Sequence, residues 1–222
     1  MQAIIFFIVG LPLAWALNRL VVDLTTFEED LVERKEDERA LPWHLGAWPD
    51  RVRWAVLALL PPAMAVAGAR FDLLQAAAVS MLAAALLVCT ATDLLRFRVP
   101  NIITYPGTVL ALVAAVLMPD GDIGQALLAA VAGGGFFFIL ALITSGGIGL
   151  GDAKLAMLIG AGLGFQIAMQ ALFWGIVAAA VVMVIMLVLR TVTRKQAVPY
   201  APFLSLASIA VMLVQGTAFA PL

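Results

Sequence analysis

The sequence predicts an all-α polytopic membrane protein with about eight transmembrane helices. Three observations carry that prediction. Of 222 residues, 64% are apolar and 12% charged, where a soluble domain has about 45–50% and about 25%; mean hydropathy is +1.08. Stretches without Asp, Glu, Lys, Arg or His run over 1–18, 54–69, 73–92, 99–119, 123–151, 155–189 and 196–222. Finally, 13 basic residues nearly balance 14 acidic ones, so charge singles out no polyanionic partner. A soluble enzyme, a disordered chain and a nucleic-acid-binding chain are excluded by this composition.

The elements follow in order. A helix needs about 20 apolar residues to cross the hydrocarbon core. The first is expected over 1–22, retained rather than cleaved, because it lacks a basic n-region and a small-residue cleavage pattern. Its Arg19 would snorkel toward the cytoplasm. Residues 23–53 form a charged loop with eight acidic and three basic residues between 23 and 39. Asp30 and Arg34 stand at i,i+4, which predicts a short surface helix, and the Trp-and-Arg-rich segment 41–54 leads into the membrane. The second helix and its outer loop occupy 54–72, with Pro61 and Pro62 expected to kink it. The remaining six helices take up 73–222. As one helix, 155–189 would be about 52 Å long, so it must fold back near 162–166. Gly160, Gly162 and Gly164 suit close helix packing there.

Basic residues set the orientation. With the N-terminus outside, the cytoplasmic side receives Arg34, Lys35, Arg39, Arg51, Arg53, Arg96, Arg98, Lys154, Arg190, Arg194 and Lys195. The outside receives Arg70, along with Asp120 and Asp122. Asp93 and Asp152 then share the cytoplasmic face.

Acidic residues at the ends of spans are costly and therefore functional candidates. Asp93 closes the apolar run 73–92, and Asp152 follows the glycine-rich SGGIGLG. Two carboxylates brought close together share a proton, so one can activate water while its partner protonates a carbonyl or leaving group. Gly146, Gly147, Gly149 and Gly151 lack Cβ atoms and allow a close backbone approach. Lys154 is open to two roles, holding Asp152 ionised or binding lipid headgroups. Asp152 is also suited to capping the helix that follows. His44 is the sole histidine and Cys89 the sole cysteine, so no metal site and no internal disulfide is expected.

The segment GLGDAKLAMLIGAGLG (149–164) resembles the GxGD segment of type IV prepilin peptidases. Asp93, seven residues before the proline of Val99-Pro100-Asn101, resembles that family's first catalytic segment. VPYAPFL (198–204) resembles its Pro-containing lead-in to the last helix. The resemblance covers roughly 80–210 and implies a six-helix GxGD aspartic protease core over 73–222. It implies catalysis by Asp93 and Asp152, with Gly149, Gly151, Lys154, Pro100 and Asn101 in support and no cofactor. It also implies an aspartic endopeptidase of the bacterial inner membrane, with its active site at the cytoplasmic face. The substrates would be prepilins or pilin-like secretion subunits (pseudopilins), which lose a short basic leader.

Bifunctional members also methylate the new N-terminus and carry two CxxC pairs in the first cytoplasmic loop, a spacing suited to structural zinc. Residues 23–53 contain no cysteine, so zinc and obligatory methylation are not expected. Two other functions fit a membrane chain with polar span ends: a small proton- or cation-coupled transporter, or an inactive assembly relative. A transporter calls for acids near the midplane and for repeated halves. The intact aspartate pair argues against an inactive relative.

Overall fold

A computed structural model describes residues 1–26, 49–144, 149–190 and 199–221. The helices among them are α1 Gln2–Thr26, α2 Pro49–Leu57, α3 Leu60–Arg70, α4 Leu73–Arg96, α5 Asn101–Leu117, α6 Ile123–Ile143, α7 Leu150–Leu163, α8 Phe165–Val188 and α9 Ala201–Gln215. Two-residue strands β1 Gly216–Thr217 and β2 Ala220–Pro221 close the described chain as an antiparallel hairpin. The fold is all-α and polytopic, as expected. Among the described residues, five stretches are long and apolar enough to cross a membrane: α1, the α2–α3 pair, α4, α6 and α8. The other three expected spans are present as shorter apolar helices, α5 and α9 and the 14-residue α7.

Several boundaries differ from expectation, each for a physical reason. α1 continues past residue 22 to Thr26, and the Thr25 hydroxyl turns back to donate to the Val21 and Val22 carbonyls. The second span is broken after Leu57, and α3 restarts at Leu60 with proline in its first turn. Proline has no N–H to donate, and first-turn N–H groups lack intrahelical partners. Pro61 and Pro62 therefore begin a helix rather than kink one. The fold-back falls at Gly164, whose φ of 77° is open to glycine and strained for other residues. The last apolar run stops being helical at Gln215, and Gly216 at φ 95° turns the chain into the hairpin. The sequence reading has no counterpart to that hairpin. The Asp30/Arg34 surface helix, His44, Gly146, Gly147, Arg34, Lys35, Arg39, Arg194 and Lys195 lie outside the described residues.

α4 is the hub. It packs against α1, α2, α3, α5, α7 and α9, and its Ala76, Val79, Ala83, Leu86, Leu87 and Cys89 are buried. Small residues bring the outer helices together. A Cβ on Gly175 of α8 would stand 2.9 Å from Leu204 Cα of α9. One on Gly134 of α6 would stand 3.0 Å from Met157 Cβ of α7. In a bilayer, where burial from water does not drive helices together, such close packing is the main attraction between them. Near the chain's start, Arg53 Nε of α2 donates to Asn18 Oδ1 of α1 at 2.7 Å and pairs with Asp50. The Arg19 guanidinium lies 4.5 Å from the Trp15 ring centroid, a cation–π contact.

The two ends of the bundle differ. At one, the hairpin is bonded into the turns: Ala218 N–H donates to Gly162 O at 3.0 Å, and Asp122 N–H donates to Ala218 O at 2.9 Å. Gln75 reaches Asp120 there, and Arg70 reaches the Val214 carbonyl. The other end gathers the C-terminus of α4 and the N-termini of α5, α7 and α9.

Candidate active site

The site begins with the end of α4. Thr90 and Thr92 each turn their hydroxyl back onto a carbonyl of their own helix, so the buried apolar run can carry them without orphaned donors. Asp93 follows in the last turn and is only 6% exposed. The helix stops because Phe97 takes a left-handed conformation, φ 53°, while its N–H still donates to Asp93 O at 2.8 Å. A non-glycine residue in that conformation costs about 1–2 kcal/mol. The turn sends Arg98-Val99-Pro100 back across the bundle end to open α5.

Asp93 is held from across the bundle. Its Oδ2 accepts the Ala201 N–H at 3.1 Å. Ala201 is the first residue of α9, so its N–H has no partner within the helix and points out of the positive end of the helix dipole. The buried carboxylate and the unpaired helix terminus satisfy each other.

Asp152 is held within its own turn. It is the third residue of α7 and 7% exposed, and its Oδ2 accepts the Gly149 N–H at 3.1 Å. That is the return half of a capping box: Gly149 holds the N-cap position, and Asp152, expected there, stands inside the helix and bonds back to it. It also lies within electrostatic reach of Asp93. Each aspartate therefore has one carboxylate oxygen tied to a backbone N–H at a helix start, an arrangement that fixes its rotamer.

The residues expected in support lie at the same end of the bundle, where the α4–α5 turn meets the start of α7. A Cβ on Gly151 would stand 3.1 Å from Val99 Cβ, so the absent side chain lets the α4–α5 turn rest on the start of α7. The Pro100 carbonyl accepts the Ile103 and Thr104 N–H groups at 3.1 Å each and opens α5. Lys154 Nζ donates to Asn101 Oδ1 at 2.8 Å and stands 5.4 Å from the Tyr105 ring centroid. Among the described residues it makes no ion pair with Asp152. Two positions along a helix face different ways, so the lysine fastens α7 to α5 instead.

One group escaped the sequence reading, Ala201 through its backbone N–H. The only signal was the proline-flanked segment 198–204, read simply as a helix lead-in. The other acids stay elsewhere. Asp122 caps α6 through Gln125 N–H at 3.0 Å, and Asp120 bonds Gln75, both at the opposite end. Among the described residues no group of three His, Cys, Asp or Glu side chains is placed to hold a metal.

Comparison with known proteins bears on this arrangement. Residues 80–184 match the model of the Type IV leader peptidase family, a stretch that contains both aspartates. Over 146 residues the chain is 30% identical to the prepilin leader peptidase/N-methyltransferase of Bacillus subtilis (strain 168), an alignment covering 65% of this chain. The chain spans 59% of the length of that relative. No solved structure matches.

Proposed function

We propose, from the match of residues 80–184 to the type IV leader peptidase family and the likeness to a prepilin leader peptidase, that the chain is an aspartic endopeptidase. Its substrates are prepilins or pilin-like secretion subunits, from which it removes a short basic leader. The observation that carries this reading is the pair of buried carboxylates at one end of the bundle, each anchored on one oxygen by a backbone N–H.

The reaction is a hydrolysis run by two carboxyl groups sharing one proton. The ionised member takes a proton from water, whose oxygen attacks the scissile carbonyl carbon. The protonated member gives its proton to the carbonyl oxygen, leaving a neutral gem-diol. The C–N bond then breaks, a proton passes from the first carboxyl to the departing amine, and the second carboxylate recovers its proton from the gem-diol. Water is consumed, and the carboxyl pair ends as it began. The direct test is coexpression with a prepilin, with leader removal scored by mass.

The same reading places Asp93 and Asp152 at the cytoplasmic face of a bacterial inner membrane. Cysteine labelling checks the orientation in a Cys89→Ala background. A cysteine replacing the exposed Thr144 is expected to resist an impermeant thiol reagent added outside, and one replacing the exposed Asp120 is expected to react. Position 121 is unsuited, because a Cβ on Gly121 would stand 2.3 Å from Ala115 O. Outside labelling at 144 reverses the orientation.

The family relative's name joins peptidase to N-methyltransferase. With no cysteine in residues 23–53, cleavage here proceeds without obligatory methylation. Purified protein is expected to contain no stoichiometric zinc by elemental analysis. Labelled S-adenosylmethionine should leave a fully cleaved pilin unlabelled; robust labelling removes the peptidase-only reading and leaves the aspartates in place.

A further inference from the structure

The two aspartates are anchored in different places, and neither anchor spans the gap between them. Asp93 accepts from Ala201 of α9, whereas Asp152 accepts from Gly149 in its own turn. Their spacing therefore depends on how the α4–α5 turn is seated on the start of α7. That turn is tied to Asp93 itself, since Phe97 N–H donates to Asp93 O at 2.8 Å. One contact with α7 limits closer approach: a Cβ on Gly151 would stand 3.1 Å from Val99 Cβ. Another resists separation: Lys154 Nζ donates to Asn101 Oδ1 at 2.8 Å. Asn101 opens α5 directly after the turn, and Lys154 follows Asp152 by two residues.

We propose that Lys154 and Asn101 form a clasp that sets the spacing of Asp93 and Asp152, both acting as positioning residues. The inference rests on the aspartic peptidase reading and names further residues for the same site. Lysine suits the part, because its ammonium is a donor only and sits on a long stem that reaches from α7 to α5. The Tyr105 ring, with its centroid 5.4 Å from Nζ, lies one helical turn beyond Asn101 and helps hold the ammonium there by a cation–π contact. Asn101 is exposed and Lys154 partly so. Water can therefore replace the bond when it is lost, and the bond adds little to the stability of the fold. Its work is geometric. Two carboxyl groups that share a proton and direct one water tolerate little displacement, since a shift of about 1 Å lowers the rate around a hundredfold. A bond dispensable for folding thus matters for kcat.

The test uses the purified full chain and a prepilin substrate, with kcat and KM measured separately. Lys154→Met keeps a long stem and removes the donor, and Asn101→Ala removes the acceptor. Each is expected to accumulate like the parent and to lose about tenfold in kcat, short of the effect of a full ångström, with KM within twofold. Because the two residues act through one bond, the double variant is expected to lose no more than either single one. Asn101→Asp keeps an acceptor for the ammonium and is expected to retain at least about half of the parent kcat. Three results overturn the proposal: a Lys154→Met kcat within twofold of the parent, losses that multiply in the double variant, or a change confined to KM. The last is what direct contact with the substrate would give. Should Lys154→Met accumulate poorly, Asn101→Ala against Asn101→Asp decides, and equal losses of kcat overturn the proposal. Failure of the peptidase reading looks different. In that case the parent protein leaves the prepilin uncleaved, or Asp152→Asn cleaves as well as the parent, whatever residues stand at 101 and 154.

Discussion

Asp93→Asn and Asp152→Asn are each expected to lower leader removal by at least about a hundredfold, because a positioned acid or base contributes roughly 10²–10⁴ to such a reaction. The geometry makes asparagine the informative replacement. Each aspartate uses Oδ2 to accept one backbone N–H, from Ala201 or from Gly149, and the asparagine carbonyl can accept the same bond. The end of α4 and the start of α7 therefore keep their anchors, and the variants are expected to insert and accumulate like the parent. Only the ionisable proton is lost. Alanine would test less cleanly. It would leave the Ala201 N–H buried without a partner, at a cost of about 1–3 kcal/mol, and would confuse lost chemistry with a displaced helix. Cleavage is measured by mass on membranes containing equal amounts of each variant. Leader removal within tenfold of the parent by either one rejects the two-carboxylate mechanism.

The same geometry explains what could be read from the chain before its fold was known. Long apolar stretches declare themselves as helices because a bilayer leaves the backbone no other partner than itself. Both aspartates stood out because a carboxylate at the end of such a stretch is expensive to keep. Interruptions were harder to read. The prolines at 61 and 62 suggested a kink, since sequence alone cannot say whether a proline lies within a helix or begins one. The hairpin at 216–221 is built by backbone bonds to Gly162 and Asp122, partners distant along the chain, and its own six residues carry no pattern that announces them. Lys154 illustrates a different limit. Its closeness to Asp152 in sequence invited an electrostatic role, yet the helix turns the two side chains apart and gives the lysine to Asn101. Likewise the partner of Asp93 is a backbone N–H of α9, a group every residue but proline possesses, so no residue type could mark it.

Gly160→Ala is expected to be the most damaging of the single-methyl additions, and the reason lies in how α7 is seated. A Cβ at that position would stand 2.3 Å from Ala129 O and 2.5 Å from Ala129 C, both backbone atoms of α6 that no rotamer change can move aside. The two helices must separate or slide. Overpacking of this kind costs about 1–3 kcal/mol, and Gly160→Val would cost more. The displacement also reaches the site, because α7 carries Asp152 near its start and presses Gly151 against Val99. A shift of about 1 Å in a catalytic group lowers the rate by around a hundredfold, so activity should fall further than stability alone requires. Gly135 provides the control. It sits in the middle of α6, and a Cβ there meets nothing within 4 Å. Replacing a mid-helix glycine by alanine in open space gains up to about 1 kcal/mol of helix propensity. Thermal unfolding in detergent is therefore expected to place Gly160→Ala below the parent and Gly135→Ala level with it or above. A Gly160→Ala protein that melts with the parent and cleaves at its rate would show that α6 and α7 leave room for a methyl group between them at this position.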